Sequence, residues 1–310
     1  MYKGAARLHM VIIVILLIIF SGNAGCSDKK SDLDPYIEDQ IDIRNSENNQ
    51  ESEYGNSNYS QIDAIQVRDD LIRIISKELL LIDTSMTAHS IRISQSTPNK
   101  NETKKILAEI RNISPHTQSP IILDKNLIIT EVAYDEYEDL VGSDLSDQDH
   151  LNEVVRTGEP VMGTLIQTVE GIPAIPVSYP ILVNNTVSGV LSILVDQKTL
   201  FADAILVADR DNRCNVYVLQ PDGQILYDNE PDKTEKNTIG NSGSMDNSII
   251  KKTIGQIETE NSGNETVVIQ SEDYPESNNR THDIVWDTIA FHGKEWKIIV
   301  IKPLNNISNQ

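Results

Sequence analysis

The sequence predicts an α+β fold with two modules, each an antiparallel sheet with flanking helices, on one long N-terminal helix. Three observations support this prediction. A long amphipathic helical pattern comes first, four strand-turn-strand patterns follow, and these four hairpins form two pairs, each interrupted by a helical or polar insertion. Two hairpins around an insertion can supply one antiparallel sheet, so the repeated layout indicates two similar modules.

The first element is a helix predicted over residues 62–96. Apolar residues from Ile62 to Ile93 recur mostly at spacings of three and four, and Pro98 ends the pattern. This spacing is typical of a helix with one buried face. At about 1.5 Å per residue, the helix is on the order of 50 Å long and can support more than one module. A coiled coil is less favoured, because the pattern drifts from strict heptads.

The strands are predicted from apolar runs that are separated by polar or glycine-containing turns. A second short helix, over residues 102–113, precedes them. Turn residues such as Asn184-Asn185 and Pro221-Asp222-Gly223 are strong hairpin signals. The predicted hairpins cover residues 121–133, 179–196, 216–228 and 284–301.

The N-terminus has the composition of a signal peptide. Lys3 and Arg7 precede the apolar run 11–20, and Ala24-Gly25 precede Cys26 as at the end of a bacterial or archaeal lipobox. We expect Cys26 to be the lipidated first residue of an exported protein, held at the cell membrane on its extracytoplasmic side. An uncleaved anchor is the alternative, although the run is about half of the roughly 20 residues that a spanning helix needs.

The predicted organisation follows from these signals and from composition. Residues 26–60 are rich in Asp, Glu, Asn and Ser and have too few apolar residues to bury a core. In chain order we expect a signal peptide (1–25), a flexible acidic tether (26–60), the long helix with a first module (61–205), a second module (206–303) and a tail (304–310).

Charge and cysteine content exclude some partners and bonds. The 26 Lys and Arg against 47 Asp and Glu give a net charge of −21, which would repel nucleic acid. The chain has two cysteines. If Cys26 carries lipid, Cys214 has no intramolecular partner and is expected to be a small buried side chain.

Five features follow one another between residues 62 and 303: the long helix, the segment 141–163, the hairpin 179–196, "VYVLQPDGQILYDN" and "WDTIAFHGKEWKIIVIKP". In this order they resemble the double Cache (PDC-like) extracytoplasmic sensor domains of chemoreceptors and sensor kinases. The resemblance implies that the first module is membrane-distal and the second membrane-proximal. It also implies that a small metabolite binds in the distal module, between the sheet and the helix-loop, or lid, that follows the first hairpin.

The resemblance also suggests which residues bind the ligand. Many amino-acid-binding members place Arg and Trp on the lid, Tyr on the next strand and Asp at the end of the second hairpin. Here Gln148 and His150 take the lid positions, Thr164 lies near the Tyr position, and Asp196 matches the Asp. Tyr179 joins the predicted site, because the lid and the second hairpin can enclose a cavity against the sheet.

The predicted ligand bears an amine or another positive group. The lid lacks the Arg that would bind a carboxylate, and Asp196 is anionic. Asp196 is equally well explained as the cap of a helix that begins at residue 197. The lid acids Asp144, Asp147 and Asp149 suggest calcium, but a solvated helix N-terminus explains them better, since an EF-hand glycine and glutamate are missing.

The sequence does not indicate an enzyme. It has no G-x-S-x-G, Walker-type or G-x-G-x-x-G motif, and its six histidines are scattered, so we expect no catalysis, cofactor or metal. Receptors of the resembled family continue into a membrane helix, whereas this sequence ends at Gln310. We therefore expect a lipoprotein that binds a small extracellular ligand and passes it, or a signal, to a membrane signalling or transport partner. The alternative is a structural or adhesive surface protein without a ligand, and a polar cavity in the distal module would favour the first.

Overall fold

Five α-helices and eleven strands make up the described part of the chain. A computed structural model describes residues 63–96, 98–168, 171–220, 223–229, 248–269 and 280–304. The predicted signal peptide, Cys26, the acidic tether and tail residues 305–310 lie outside these ranges. Within them, no helix combines the length and the hydrophobicity needed to span a bilayer.

The two predicted N-terminal helices are present. Helix α1 spans Ala64–Ser96, and its buried face includes Val67, Leu71, Ile75, Leu79, Ile82 and Met86, the spacing expected for one apolar stripe. Helix α2 spans Lys100–Arg111. It begins at a capping box, in which the Asn99 side chain accepts from the Glu102 backbone N–H and the Glu102 carboxylate accepts from the Asn99 backbone N–H.

The first sheet follows these helices. Its strands are β1 (Thr117–Asp124), β2 (Ile129–Val132), β3 (Val161–Met162), β4 (Ile166–Gln167), β5 (Pro173–Val183) and β6 (Thr186–Val195). They pair antiparallel in the order β2-β1-β6-β5-β3, and β4 pairs with β5. Between β2 and β3 lie a 3-10 helix (Asp135–Leu140) and helix α3 (Asp149–Thr157). This insertion is the lid.

The second sheet begins after helix α4 (Gln197–Ala208). Its elements are β7 (Asn215–Leu219), β8 (Ile225–Asp228), α5 (Ser248–Thr259), β9 (Gly263–Ile269), β10 (Arg280–Phe291) and β11 (Lys294–Leu304). The strands pair antiparallel in the order β8-β7-β11-β10-β9. Helix α4 extends across the predicted module boundary between residues 205 and 206, and residues 209–214 connect it to β7.

The two sheets repeat one arrangement. In each, the first strand of the first hairpin pairs with the second strand of the second hairpin, so β1 pairs with β6 and β7 pairs with β11. A strand from the insertion then pairs with the other edge of the second hairpin, β3 with β5 and β9 with β10. The predicted fold class is confirmed: two antiparallel sheets with flanking helices accompany a long N-terminal helix.

Helix α1 contacts both sheets, through β5 in the first and through β10 and β11 in the second. This packing brings the β10–β11 turn against the first sheet, where the Met162 N–H donates to the His292 carbonyl at 3.2 Å. His292 and Gly293 both have positive φ angles, 43° and 80°, as a two-residue hairpin turn of this hand requires. A turn from the second sheet therefore reaches the first.

The lid is held on the first sheet by an apolar cluster. Leu151 and Val154 of α3 are fully buried against β1, β2 and β6, together with Leu123, Leu127, Ile129, Val132 and Val190. Each buried Leu or Val contributes about 1.5–3 kcal/mol. This cluster fixes the position of α3, and with it the side chains on the other face of that helix.

Candidate functional site

A cavity of about 1130 Å³ lies between helix α1, the lid helix α3, strands β3 and β4, and the β10–β11 turn. Its volume is close to the roughly 300–1,000 Å³ that is typical of sites for small molecules. Because the β10–β11 turn belongs to the second sheet, the walls of this cavity come from both halves of the fold.

The lid helix supplies one wall because it is amphipathic. Its apolar face packs on the first sheet, and the helix ends at Gly158, which has the left-handed conformation (φ 71°) that favours glycine. The other face turns polar side chains towards the cavity: Gln148, Asp149, His150 and Glu153. The side chain of Gln148, at the N-cap, makes no capping hydrogen bond, unlike that of Asn99 in α2.

Three polar side chains join α1, β5 and the β10–β11 turn beside the cavity. The Tyr179 hydroxyl donates to Asp83 Oδ1 at 2.9 Å, and His292 Nε2 lies 2.7 Å from the same oxygen. Nε2 is also 3.0 Å from the Tyr179 hydroxyl oxygen. A proton on Nε2 lets His292 donate to Asp83 alongside Tyr179. Burial, together with the nearby Asp83 charge, raises the pKa of Tyr179, so its hydroxyl stays a donor. We call Asp83, Tyr179 and His292 the inter-sheet triad.

Carboxylates outnumber cationic groups on the cavity wall. The described lining residues include four carboxylates and one lysine: Asp83, Asp149, Glu153, Glu159 and Lys294. Burial lowers the pKa of His150 to about 4, opposed by the Asp149 charge and aided by the Lys294 charge, so its imidazole is neutral at pH 7. The cavity therefore has a negative potential that favours a positively charged group.

The structure brings together four of the five predicted site residues. Gln148, His150 and Thr164 line the cavity. Tyr179 is not among the lining residues, but its hydroxyl bonds to Asp83 and is adjacent to His292, and both of these line the cavity.

Asp196 lies elsewhere and does not line the cavity. It is the N-cap of α4, where Oδ1 accepts from the Thr199 N–H at 3.1 Å and Oδ2 accepts from Gln118 Nε2 at 3.2 Å. The first amides of a helix need acceptors, and an Asp at the N-cap provides one. The position of Asp196 matches the helix-cap interpretation, which the sequence had left open.

Sequence reasoning missed most of the charged side chains of the wall, among them Glu153 and Glu159 of the lid segment, and it missed the residues that lie opposite the lid: Asp83, His292 and Lys294. Asp83 had a usable signal, since it comes four residues after Leu79 and three before Met86, both on the buried face of α1. A carboxylate at that spacing indicates a polar contact at the edge of a buried face. The turn residues had no such signal, because nothing in their own segment indicates that it reaches the first sheet.

The lid acids do not form a metal cluster. Within the described ranges, no group of three or more His, Cys, Asp or Glu side chains is arranged to hold a metal ion. Asp144 Oδ1 instead accepts from the Ser146 N–H at 2.9 Å. Hydrogen bonds from the Ser146 side chain and backbone lower the pKa of Asp144.

Sequence comparison matches part of the chain to a sensor family. Residues 77–197 match the family described as HK/GC/Chemotaxis protein-like, sensor domain. This segment contains most of α1, the lid and all of the first sheet. Among curated protein sequences, none matches the chain.

The fold is similar to those of solved extracellular domains. An extracellular ligand binding receptor from Desulfohalobium retbaense has a TM-score of 0.62 at 18% identity, covering 78% of this chain and 41% of that receptor. The chain thus spans less than half of that receptor's length. The extracellular domain of rpHK1S-Z16, described as a histidine kinase, has a TM-score of 0.55 at 12% identity and covers 87% and 100% of the two chains.

A third similar structure contains a ligand. The ligand-binding domain of the Campylobacter jejuni chemoreceptor Tlp3 in complex with L-valine has a TM-score of 0.52 at 12% identity, covering 89% of this chain and all of that one. The chain therefore has the α+β fold of Cache (PDC-like) extracellular sensor domains, and its residues 77–197 are similar to the sensor domains of histidine kinases and chemotaxis proteins.

Proposed function

We propose that this chain is an extracytoplasmic sensor protein that binds a small amine-bearing ligand in the cavity beside the inter-sheet triad. One observation carries the proposal: the wall has four carboxylates, one lysine and a partly buried, neutral His150. An ammonium group entering this cavity would lose some hydration but gain charge-assisted hydrogen bonds. The similar folds of ligand-binding sensor domains support a binding role over an enzymatic one.

Asp83 is the main ligand-binding group in this proposal. Its Oδ1 already contacts the other two members of the triad, Tyr179 and His292. Its Oδ2 has no hydrogen-bond partner among the described residues and is available to an ammonium group. Asp149 and Glu153 on the lid provide further acceptors. Lys294 can bind a carbonyl or carboxylate on the same ligand.

The triad also offers a route from the ligand to the second sheet. A ligand ammonium on Oδ2 of Asp83 partly neutralises the carboxylate whose Oδ1 contacts His292, so occupancy weakens the contact between α1 and the β10–β11 turn. A ligand can shift a conformational equilibrium only through such a difference in contacts between two states. We propose that a membrane signalling or transport partner responds to this change.

The protein is held at the membrane by lipid on Cys26 in this proposal, and residues 1–25 are removed. The charged, apolar and "AGC" segments support this part of the proposal. Mass spectrometry of the mature protein tests it, because Cys26→Ser should abolish the modification. A mature chain that retains residues 1–25 would contradict it.

A ligand screen tests the binding proposal. The full chain in mild detergent is melted with three sets of compounds: small amines, zwitterionic amino acids and simple carboxylates. We expect amine-bearing compounds to raise the melting temperature, because a ligand bound to the folded state stabilises it. Stabilisation by carboxylates alone would contradict the proposal, and no stabilisation by any set would favour the structural or adhesive alternative.

Matched variants then locate the site. Asp83→Asn should weaken the binding of the identified amine by at least about tenfold in calorimetry, since it removes the charge of the acceptor. Asp196→Asn is the control: asparagine caps a helix as well as aspartate does, and this residue lies outside the cavity. Loss of binding in the Asp196 variant with full binding in the Asp83 variant would place the site elsewhere.

A further inference from the structure

Among the described residues outside the cavity, six buried side-chain oxygens lack a hydrogen-bond partner, and three of them belong to elements that meet at one end of the first sheet. These three are Oε2 of Glu78, Oγ1 of Thr117 and Oε1 of Gln197, and none has a partner in the part of the chain that the structure describes. The three residues are 1%, 4% and 3% exposed, respectively. Burial of a polar oxygen without a partner is unfavourable, and most of all for a carboxylate.

Contacts around Ser114 bring Glu78 close to Thr117. The Ser114 hydroxyl donates to the other carboxylate oxygen of Glu78, Oε1. The Ser114 carbonyl accepts from the Thr117 N–H at 3.1 Å. Helix α1 and the start of β1 therefore meet at this serine.

The register of the first sheet shows which way Thr117 points. Tyr179 reaches Asp83, so the face of the sheet that carries Tyr179 is the face that packs on α1. Tyr179 is paired with Leu191, and Leu191 and Val195 are four residues apart on one strand, so they share this face. Thr117 is paired with Val195 and therefore also faces α1, the helix that carries Glu78.

Gln197 joins this corner as the first residue of α4. That helix packs against α1. The Asp196 N–H donates to the His116 carbonyl at 2.9 Å, which places the start of α4 beside the start of β1. The three residues thus lie where α1, β1 and α4 meet. We call this space the oxygen corner.

Among the described residues, no Lys, Arg or His forms an ion pair with Glu78. The imidazole of His116, which precedes Thr117, has other contacts: its Nδ1 is 3.3 Å from Thr199 Oγ1 and its Nε2 is 3.8 Å from Asp203 Oδ2. A direct bond among the three oxygens is also missing, although the Thr117 hydroxyl carries a proton that either of the others could accept. Each of the three oxygens therefore lacks a partner among the described residues, which a species bound from outside the chain would supply.

We propose that the oxygen corner binds a monovalent alkali cation, Na⁺ or K⁺. Such hard cations prefer oxygen ligands, and the corner offers a carboxylate, an amide oxygen and a hydroxyl. One carboxylate and one monovalent cation sum to zero, whereas a divalent cation would leave a buried positive charge without a partner. The cation ties α1 to β1 and α4, and this role is independent of the ligand proposed for the cavity.

Thermal melting in matched salts tests the proposal. The full chain is melted in NaCl, KCl and choline chloride at equal ionic strength, since choline is too large for a buried site. We expect sodium or potassium to raise the melting temperature by at least about 2 °C, with saturation at high concentration. Glu78→Gln, which removes the charge at nearly constant shape, should abolish this difference. Glu109→Gln removes an exposed carboxylate that pairs with Arg92 and should leave it unchanged.

A second measurement does not depend on the folding of a variant. Crystals of the wild-type protein grown with Rb⁺ or Tl⁺ should show an anomalous peak beside Glu78. Thr117→Val, which removes one oxygen, should weaken the cation affinity by about tenfold. Equal melting temperatures in all three salts without such a peak would mean that water or a proton satisfies these oxygens, and would overturn the proposal. A rise in melting temperature with sodium or potassium that persists in Glu78→Gln would overturn the proposal as well.

Discussion

Replacing His150 by Gln tests whether the cavity holds a neutral imidazole. Burial lowers the pKa of His150 to about 4 from its ordinary value of 6.5. The unfolded chain therefore takes up a proton near pH 6.5, whereas the folded chain resists protonation until about pH 4. The resulting contribution to stability is complete above pH 6.5 and is lost as the pH falls towards 4.

The size of the effect follows from the two pKa values. From 6.5 and about 4, the wild-type protein should lose about 2 kcal/mol of unfolding free energy by pH 5 and about 3 kcal/mol by pH 4 from this residue alone. His150→Gln does not titrate and should not show this loss. The variant should therefore gain stability relative to the wild type as the pH falls.

Urea denaturation of both proteins between pH 8 and pH 4 measures this difference. At pH 8, where both side chains are neutral, the difference in unfolding free energy between the two proteins reports the contacts that Gln fails to replace. The change in this difference at lower pH reports the titration of His150. The carboxylates titrate in both proteins and cancel in the comparison. A difference that stays constant from pH 8 to pH 4, or an imidazole NMR titration of His150 near pH 6.5, would refute the reasoning.

Three further predictions concern other parts of the fold. Tyr179→Phe removes the 2.9 Å hydrogen bond to Asp83 and should lower the unfolding free energy by about 1.5–3 kcal/mol in urea; a change below about 0.5 kcal/mol would show that the triad is not a stabilising contact. Gly263→Ala places a methyl group against the buried ring of Trp286, so calorimetric melting should show a loss of about 1–3 kcal/mol, and an unchanged melting temperature would contradict this packing. Burial, with a smaller contribution from the nearby Asp209 charge, raises the pKa of the Cys214 thiol to about 12. Iodoacetamide at pH 8 should therefore label this thiol only after unfolding, and rapid labelling of the native protein would show that the thiol is accessible.

Local sequence patterns were sufficient to predict most of the elements. The apolar spacing of α1 and the turn residues of the four hairpins act within a few residues of the chain, so the sequence carries their signals directly. Helix α1 was predicted over 62–96 and spans Ala64–Ser96. The division into two antiparallel sheets also followed from the repeated order of hairpin, insertion and hairpin.

Asp196 shows where the sequence left two roles open. A carboxylate between a strand and a helix can bind a ligand or cap the helix, and the residues beside it are the same in both cases. The choice depends on what lies across from the side chain. In the fold, Thr199 and Gln118 are within hydrogen-bond distance of it, and the cavity is elsewhere.

By itself, the sequence determined the fold class and the presence of a helix-loop insertion between the two hairpins of each module, because apolar spacing and turn residues act locally. Gln148 and His150 were predicted on the lid from the resemblance to sensor domains. Only the tertiary structure decided what lies opposite the lid. Asp83 and His292 are 209 residues apart in the chain, and they meet because α1 packs on both sheets and carries the β10–β11 turn to the first. The same packing places Lys294 on the cavity wall and Glu78 in the oxygen corner. Contacts of this kind depend on how whole elements pack together, and no local pattern records that packing.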